Sequence, residues 1–286
     1  MTRPAISIVV VTRDRPQALE RCLTALTWQR GASLEIVVVD DGSSDAEAVG
    51  AAVARTLLAA DAPPATHLVT GEGRGPAAAR NLGVLVATGA VVCFIDDDCI
   101  AAPGWAQRLA AACAGGEAAA GVTVADPVAG RAAVASQLLT DTLQRASLDP
   151  RTNALGFAPT CNLAGPAELL RRLPFDESFA LAAGEDRDWC ARLVAAGIAL
   201  RFVPEACVEH RPSMGIAGLL RQQLRYGRGA VRFRAAGADR RLSGLAFYRL
   251  LVRGSVRAGA RVAVLVALAQ IAVAAGAVLE SWRARA

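Results

Sequence analysis

Three acidic residues in a row, Asp96, Asp97 and Asp98, follow directly on the apolar run Ala90-Val91-Val92-Cys93-Phe94-Ile95. Adjacent like charges repel, and carboxylates seldom sit against an apolar strand unless something compensates them. A solvated turn would also hold acids, but turns usually draw on Gly or Asn for the bend, and this one has neither. Asp96 and Asp98 fit a D-x-D arrangement, in which one carboxylate would reach a hard divalent cation and the other would position ribose or sugar hydroxyls; taken alone, the triplet reads equally as a metal site and as a solvated turn. Such cations, Mg²⁺ above all, take one or two carboxylates and complete their shell with substrate phosphates.

Two further polar clusters have the same setting. Asp40-Asp41-Gly42-Ser43-Ser44 closes the apolar run Leu34 to Val39, where it reads either as a ligand-facing loop or as a turn with Ser43 or Ser44 capping the next helix. Glu185-Asp186-Arg187-Asp188 opens a helical pattern carrying Trp189 and Leu193. Acids are favoured in the first turn of any helix, so this cluster alone does not establish chemistry. His210, in VEHRP, ends a strand-like stretch, and a lone histidine is more often structural than a ligand.

The elements that must position these residues alternate. Ile6 to Val11 is a buried-strand pattern that ends at the charged turn TRDRP, and Pro16 suits the first turn of a helix over 16–28. Helix 45–60, a short strand over His67 to Thr70, and a helix closing at Gly89 lead to the strand that carries the aspartates. Strand and helix in alternation predict an α/β fold with a central, mostly parallel sheet flanked by helices. Ligands bind beyond the carboxyl ends of such strands, so Thr12-Arg13-Asp14, Asp40-Asp41 and Asp96-Asp97-Asp98 are expected on one edge. Residues 117–150 carry weak strand or loop signals and a helix over 131–146.

ISIVVVTRDRPQALERCLTAL, EIVVVDDGSSD and GRGPAAARNLGVLVATGAVVCFIDDD, followed by GEDRDWCARLVAAG, resemble the ordered motifs of family 2 glycosyltransferases of the GT-A (Rossmann-like, nucleotide-diphospho-sugar transferase) fold. The resemblance runs from about Ile6 to His210. It implies a catalytic domain over 1–212, with residues 1–100 binding the nucleotide sugar and 101–212 the acceptor, and a helical region over 213–286. It implies that Thr12 and Arg13 line the base pocket, that Asp40 meets the nucleobase edge, and that Arg80 lies near the donor, with a second role as partner of the aspartates. Asp96 and Asp97 then serve donor binding, while Asp98 and His210 hold Mn²⁺ or Mg²⁺. Asp186 becomes the general base that takes a proton from an acceptor hydroxyl, and Glu185 orients the acceptor or Asp186 itself. That set implies a single displacement with inversion. The donor implied is a nucleotide diphosphate sugar, with a UDP-sugar favoured; Thr160-Cys161-Asn162-Leu163 is expected on the acceptor side.

Two other functions compete with this one. A nucleotidyltransferase would share the sheet and the aspartates, but it usually shows a Gly-rich first loop and a phosphate-binding lysine, and the chain has no lysine at all. A catalytically inert sugar-nucleotide-binding protein would be expected to have lost a residue such as Asp98 or Asp186.

After His210 the composition turns arginine-rich and helical. IAGLLRQQLRYGRGAVRFR (216–234) is a basic amphipathic pattern that suits either an anionic membrane surface or packing over the catalytic domain. Val262 to Leu279 is apolar apart from Gln270, about the minimum for a span, with arginines on both sides. The tail beyond about Ala235 is expected to give membrane affinity without supplying catalytic groups, and the denser upstream arginines keep the domain on the cytoplasmic face. Hydrophobic residues make up 53% of the chain, which agrees with membrane association. Its net charge is +5, but no dense basic run with interleaved aromatics favours nucleic acid. Seven scattered cysteines without a C-x-x-C pair point to reduced thiols in the cytoplasm. The run Ile6 to Val11 is too short for a signal-peptide core.

Overall fold

The computed structural model describes residues 5–30, 33–126, 128–179, 183–235 and 244–283. Its first half alternates as expected: β1 (Ile6–Thr12), α1 (Pro16–Thr27), β2 (Leu34–Asp40), α2 (Ala46–Leu58), β3 (Ala65–Thr70), α3 (Pro76–Val86), β4 (Val91–Asp96) and the short β5 (Cys99–Ala101). Pro16 opens α1, which buries Leu19, Cys22, Leu23 and Leu26 at helical spacing. The expected serine cap of α2 is corrected. Asp45 caps it by accepting from the Ala48 amide at 2.9 Å, while the Ser43 and Ser44 hydroxyls donate to Asp40 and Asp14.

The second half runs α4 (Trp105–Ala112), β6 (Ala118–Ala125), α5 (Arg131–Ala146), the hairpin β7 (Leu148–Asp149) and β8 (Ala154–Leu155), then a single 3₁₀ turn at Thr160–Asn162. It continues with β9 (Leu163–Pro166), α6 (Ala167–Arg172), α7 (Glu185–Ala195), β10 (Leu200–His210), α8 (Ile216–Ala235), α9 (Leu245–Ala258) and α10 (Ala260–Arg283). Helix α5 has the expected bounds. Strand β6 reads AAAGVTVA, and its alanines hide the apolar alternation that would have marked it.

One sheet orders the strands β3-β2-β1-β4-β9-β6-β10-β8-β7, with β5 on β10. Strands β3, β2, β1 and β4 are parallel; β9 enters antiparallel between β4 and β6, and β10 runs parallel to β6. Alternation along the strands gives the sheet two cores. Ile8, Val10, Ile36 and Val38 pack with Leu19, Leu23, Val49 and Trp105, while Val9, Val37, Val39 and Phe94 pack with Ala77, Trp189 and Leu193. The register pairs Thr12 with Asp40 and Val11 with Asp96, so the polar strand ends share one edge. Antiparallel pairing of β5 with β10 sets His210 opposite Cys99, one residue from Asp98. Helices α9 and α10 pack on α5, and α10 packs along α8.

Candidate active site

Strand β4 ends in three carboxylates, and each has found a cation. Asp96 Oδ1 pairs with Arg80 Nη2 at 3.1 Å. Asp97 pairs with Arg15 Nη2 at 2.8 Å and accepts from the Thr12 hydroxyl at 2.7 Å. Asp98 pairs with Arg15 Nη1 at 2.8 Å through Oδ2, and its Oδ1 lies 3.5 Å from His210 Nε2. Burial raises Asp97 to about 7 against the pull of Arg15. Burial would raise Asp98 too, but His210 and Arg15 hold it below the usual carboxylate range. His210 would be lowered by burial, yet the Asp98 carboxylate lifts it to about 9.

The other imidazole nitrogen is also fixed. His210 Nδ1 lies 2.8 Å from Gln137 Oε1, and the Gln137 amide nitrogen donates to Asp141 at 2.7 Å. Asp141 accepts only, so it turns the Gln137 carbonyl toward Nδ1, which must carry the proton. Nε2 faces Asp98 and, with His210 lifted to about 9, carries a proton in the metal-free protein that a bound cation would displace; metal-binding histidines are commonly oriented in this way, through a hydrogen bond from the far ring nitrogen. The donor chemistry fits Mn²⁺ or Mg²⁺. Ligand atoms of Asp98, Cys99 and His210 lie within 4.8 Å of one another. Cys99 is the poorest match of the three, because a soft sulfur ligand suits hard Mn²⁺ or Mg²⁺ less well than carboxylate or imidazole; burial raises its own pKa well above the ordinary thiol value. Carboxylate and imidazole are the ligands that fit, and such ions complete their shell with water and substrate phosphates.

The loops after β1, β2 and β3 meet at the same edge. Gly71 N–H bonds Asp40 O at 2.7 Å and Gly75 N–H bonds Asp41 Oδ2 at 3.0 Å, which ties the β2 and β3 loops together. Arg13 is exposed beside Asp41 and the Gly73 carbonyl. The expected donor residues differ in exposure. Thr12 is buried with its hydroxyl turned to Asp97, Asp40 is buried with Oδ1 accepting from Ser43, and Asp97 is 0% exposed behind Arg15. These three shape the loops, and Arg13 is the group that projects.

Across the cleft, α7 begins at Gly184, whose φ of 107° lies in the region that favours glycine. The turn delivers Glu185 and Asp186. Glu185 is buried, with Oε1 3.1 Å from Arg80 Nη1, so one arginine joins the β4 end to the α7 start. Its guanidinium carbon sits 5.9 Å over the Phe175 ring, which stacks on Trp189. Burial and the neighbouring Asp186 raise Glu185 to about 7. Burial also raises Asp186, against Arg187, and Asp186 Oδ1 accepts from the Arg187 amide at 2.8 Å. Asp188 turns away to Arg192 at 2.7 Å.

A cavity of about 310 Å³ joins the two sides. Arg80, Asp96 and His210 line it together with Glu185 and Asp186. Thr160 and Cys161 line it as expected, but Asn162 and Leu163 do not: Asn162 is 0% exposed, accepting from Trp105 and donating to the Val122 and Ala206 carbonyls. Asn81 likewise turns from the site to clamp the Phe175 backbone. Groups the sequence reading missed include Arg15, Gln137 and Asp141. From the C-terminal helices come Gln222, Gln223, Tyr226, Tyr248 and Gln270. The tail is therefore part of the cavity wall.

Comparison with known proteins follows the same lines. The profile of Glycosyl transferase family 2 matches residues 7–179. The glycosyltransferase AglE of Haloferax volcanii is 29% identical over 240 residues, covering 80% of this chain and 74% of that protein. The pre-mycofactocin glycosyltransferase of Mycobacterium tuberculosis is 29% identical over 238 residues, 79% of this chain but only 47% of that protein. Among solved structures, the mannosyltransferase PcManGT from Pyrobaculum calidifontis, in complex with GDP-Man and Mn²⁺, superposes with a TM-score of 0.61 at 21% identity. It covers 97% of this chain and 76% of its own. GalNAc-T7 with UDP, GalNAc and Mn²⁺ gives 0.59 at 18% identity, covering 80% and 48%. At these identities the two structures establish the shared fold.

Proposed function

This chain belongs to glycosyl transferase family 2, and on that footing we propose that it is an inverting, metal-dependent glycosyltransferase with Asp186 as general base. It is a glycosyltransferase that uses a nucleotide-sugar donor. The observation that carries the finer reading is one cavity lined at once by His210 and Asp96 and by Glu185 and Asp186. Asp98 and His210 are assigned to the divalent cation, which when bound neutralises charge on the departing diphosphate. Arg13 reaches toward the nucleotide from a loop shaped by Thr12 and Asp40, and Asp96 is held for the donor by Arg80. Asp97 contributes through Arg15, which it shares with Asp98.

Asp186 accepts the proton of the acceptor hydroxyl as that oxygen attacks the anomeric carbon. The bond to the diphosphate breaks in the same displacement, and the nucleoside diphosphate leaves with the electron pair. A single displacement inverts the centre and needs no covalent nucleophile on the protein. Burial favours this role, since a raised carboxylate is a stronger base than one in water. Glu185, tied to Arg80, holds the start of α7 in place.

A UDP-sugar is the first donor to test and a GDP-sugar the second, in view of the nucleotides bound by the two structural neighbours. The acceptor is an alcohol. The C-terminal helices are assigned to a membrane surface on the cytoplasmic side, in keeping with their arginines and with free cysteines, of which all but Cys207 are buried. The test is release of nucleoside diphosphate from a panel of sugar nucleotides, with Mn²⁺, with Mg²⁺ and with chelator. Turnover that survives complete chelation would remove the metal from the mechanism.

A further inference from the structure

Helix α10 is long and apolar enough to cross a membrane, yet one side of it is built into the catalytic domain. A Cβ added to Gly227 of α8 would lie 2.0 Å from the Val273 carbonyl, and one on Gly276 of α10 would lie 2.0 Å from that of Leu224. The two backbones therefore touch, as helices do where small residues face each other. Near the end of α10, Glu280 bonds Arg228 of α8 at 2.8 Å. Helix α8 in turn places Gln222, Gln223 and Tyr226 on the active-site cavity. The orientation of α10 is thus tied to the site.

The opposite side of α10 is open and apolar. Val264, Leu268, Ile271, Val278 and Trp282 are exposed, at 59, 41, 65, 53 and 71%, and their spacing places them in one stripe. Only 28% of the apolar window is buried. Neighbouring α9 exposes Leu245, Val252 and Val256 as well, among the exposed Arg249, Arg253 and Arg257; Arg261 and Arg283 flank the stripe on α10. After residue 212 the chain has thirteen arginines against two acids, Asp239 and Glu280, whereas residues 1–212 are net negative.

Three occupants are conceivable for such a face. A second copy would bring arginine against arginine across a two-fold interface, which electrostatics opposes. A span would draw Glu280 and its partner Arg228 of α8 toward hydrocarbon, where charges are costly. A bilayer surface meets both features, because apolar side chains enter the acyl boundary while arginines meet anionic headgroups. We propose that the outer face of α9 and α10 docks on an anionic bilayer with α10 lying in the plane of the interface and not crossing it. This rests on the membrane reading above and adds the mode and the face. It brings the active-site cavity, walled by the inner sides of these helices, up to the bilayer surface.

The test uses the full chain. Purified protein is sedimented with phosphatidylcholine vesicles with and without phosphatidylglycerol, and membranes of expressing cells are extracted with alkaline carbonate. The expected result is binding that requires phosphatidylglycerol, falls with salt, and is released by carbonate. Ile271→Asp, at an exposed position, should weaken binding by about tenfold or more with an unchanged circular dichroism spectrum. Val264→Ser provides a milder variant should the charge disturb α10. No binding to either vesicle would overturn the membrane reading and the docking face together. Carbonate-resistant protein with its C-terminus protected on the far side would keep the membrane reading and overturn the in-plane mode. A dimer in solution that Ile271→Asp dissociates would assign the face to a second copy and overturn the proposal.

Discussion

Replacing Arg80 by Met asks whether one buried guanidinium holds the two halves of the site together. The side chain is 6% exposed and bonds both Asp96 and Glu185 at 3.1 Å. Asp96 retains water when its partner is lost, being a third exposed, but Glu185 is buried at 6%. Removing one member of a buried pair costs about 3–5 kcal/mol, because the other charge is stranded. Glu185 can escape by binding a proton. In the native protein burial and Asp186 already raise it to about 7 from 4.5, with Arg80 pulling it down, so the variant raises it further. A carboxyl whose folded pKa exceeds its unfolded value binds more protons when folded. Its stability is therefore greatest below the unfolded value and falls as pH rises through the folded one. In the variant that fall continues to higher pH, and every tenfold gain in the proton affinity of Glu185 adds about 1.4 kcal/mol to the deficit. Urea unfolding should show a small loss near ~pH 6 and the full ~3–5 kcal/mol near ~pH 9. An equal deficit at both pH values would mean that Glu185 does not carry the effect.

Three other substitutions separate the roles. Asp186→Asn should lower turnover by about 10²–10⁴-fold while leaving donor and metal affinity near the parent value, as steady-state kinetics and calorimetry would read; near-normal turnover would move the base elsewhere. Asp98→Asn should abolish Mn²⁺-supported binding of nucleoside diphosphate, measured by calorimetry, and binding equal to the parent would refute the ligand assignment. Gln137→Leu removes the acceptor that fixes the His210 tautomer and should weaken Mn²⁺ binding by about 10–100-fold, read by calorimetry on protein whose urea midpoint matches the parent; Mn²⁺ binding equal to the parent would refute the orienting role.

Much of this site was legible because parallel sheets collect polar strand ends on one edge. Asp40 and Asp96 each follow an apolar run, so their meeting on one edge could be expected from the pattern, while the register that sets them beside Thr12 and Val11 comes from the structure. What each carboxylate does there was not legible. Asp96, Asp97 and Asp98 read as three equivalent acids, yet strand geometry sends them to Arg80, to Thr12 with Arg15, and to Arg15 with His210. Those partners come from distant parts of the chain: Arg15 lies 83 residues from Asp98, and Gln137 lies 73 from His210. Glutamine on a helix has no pattern that distinguishes a surface amide from one held between Asp141 and the His210 imidazole. Strand β6 gave only a weak signal for a different reason, since half of AAAGVTVA is alanine and the strand-favouring side chains are confined to Val122, Thr123 and Val124.

The tail was only half legible, for a more general reason. Apolar content and flanking arginines describe one helix at a time, and for α10 they mark a candidate span. They carry no information about a backbone that approaches another within Cβ distance, and the contacts at Gly227 and Gly276 decide where α10 lies. Once α10 is held against α8, the helix that brings Tyr226 to the cavity and the helix that exposes Ile271 move as one body. Whatever orients the outer face must then orient the cavity with it. A catalytic domain carrying an independent anchor would leave its site free to turn relative to the surface. Here side chains that line the cavity and the exposed apolar stripe are on the same helices, so under the proposed docking the approach of the acceptor and the attachment of the enzyme become one geometric question.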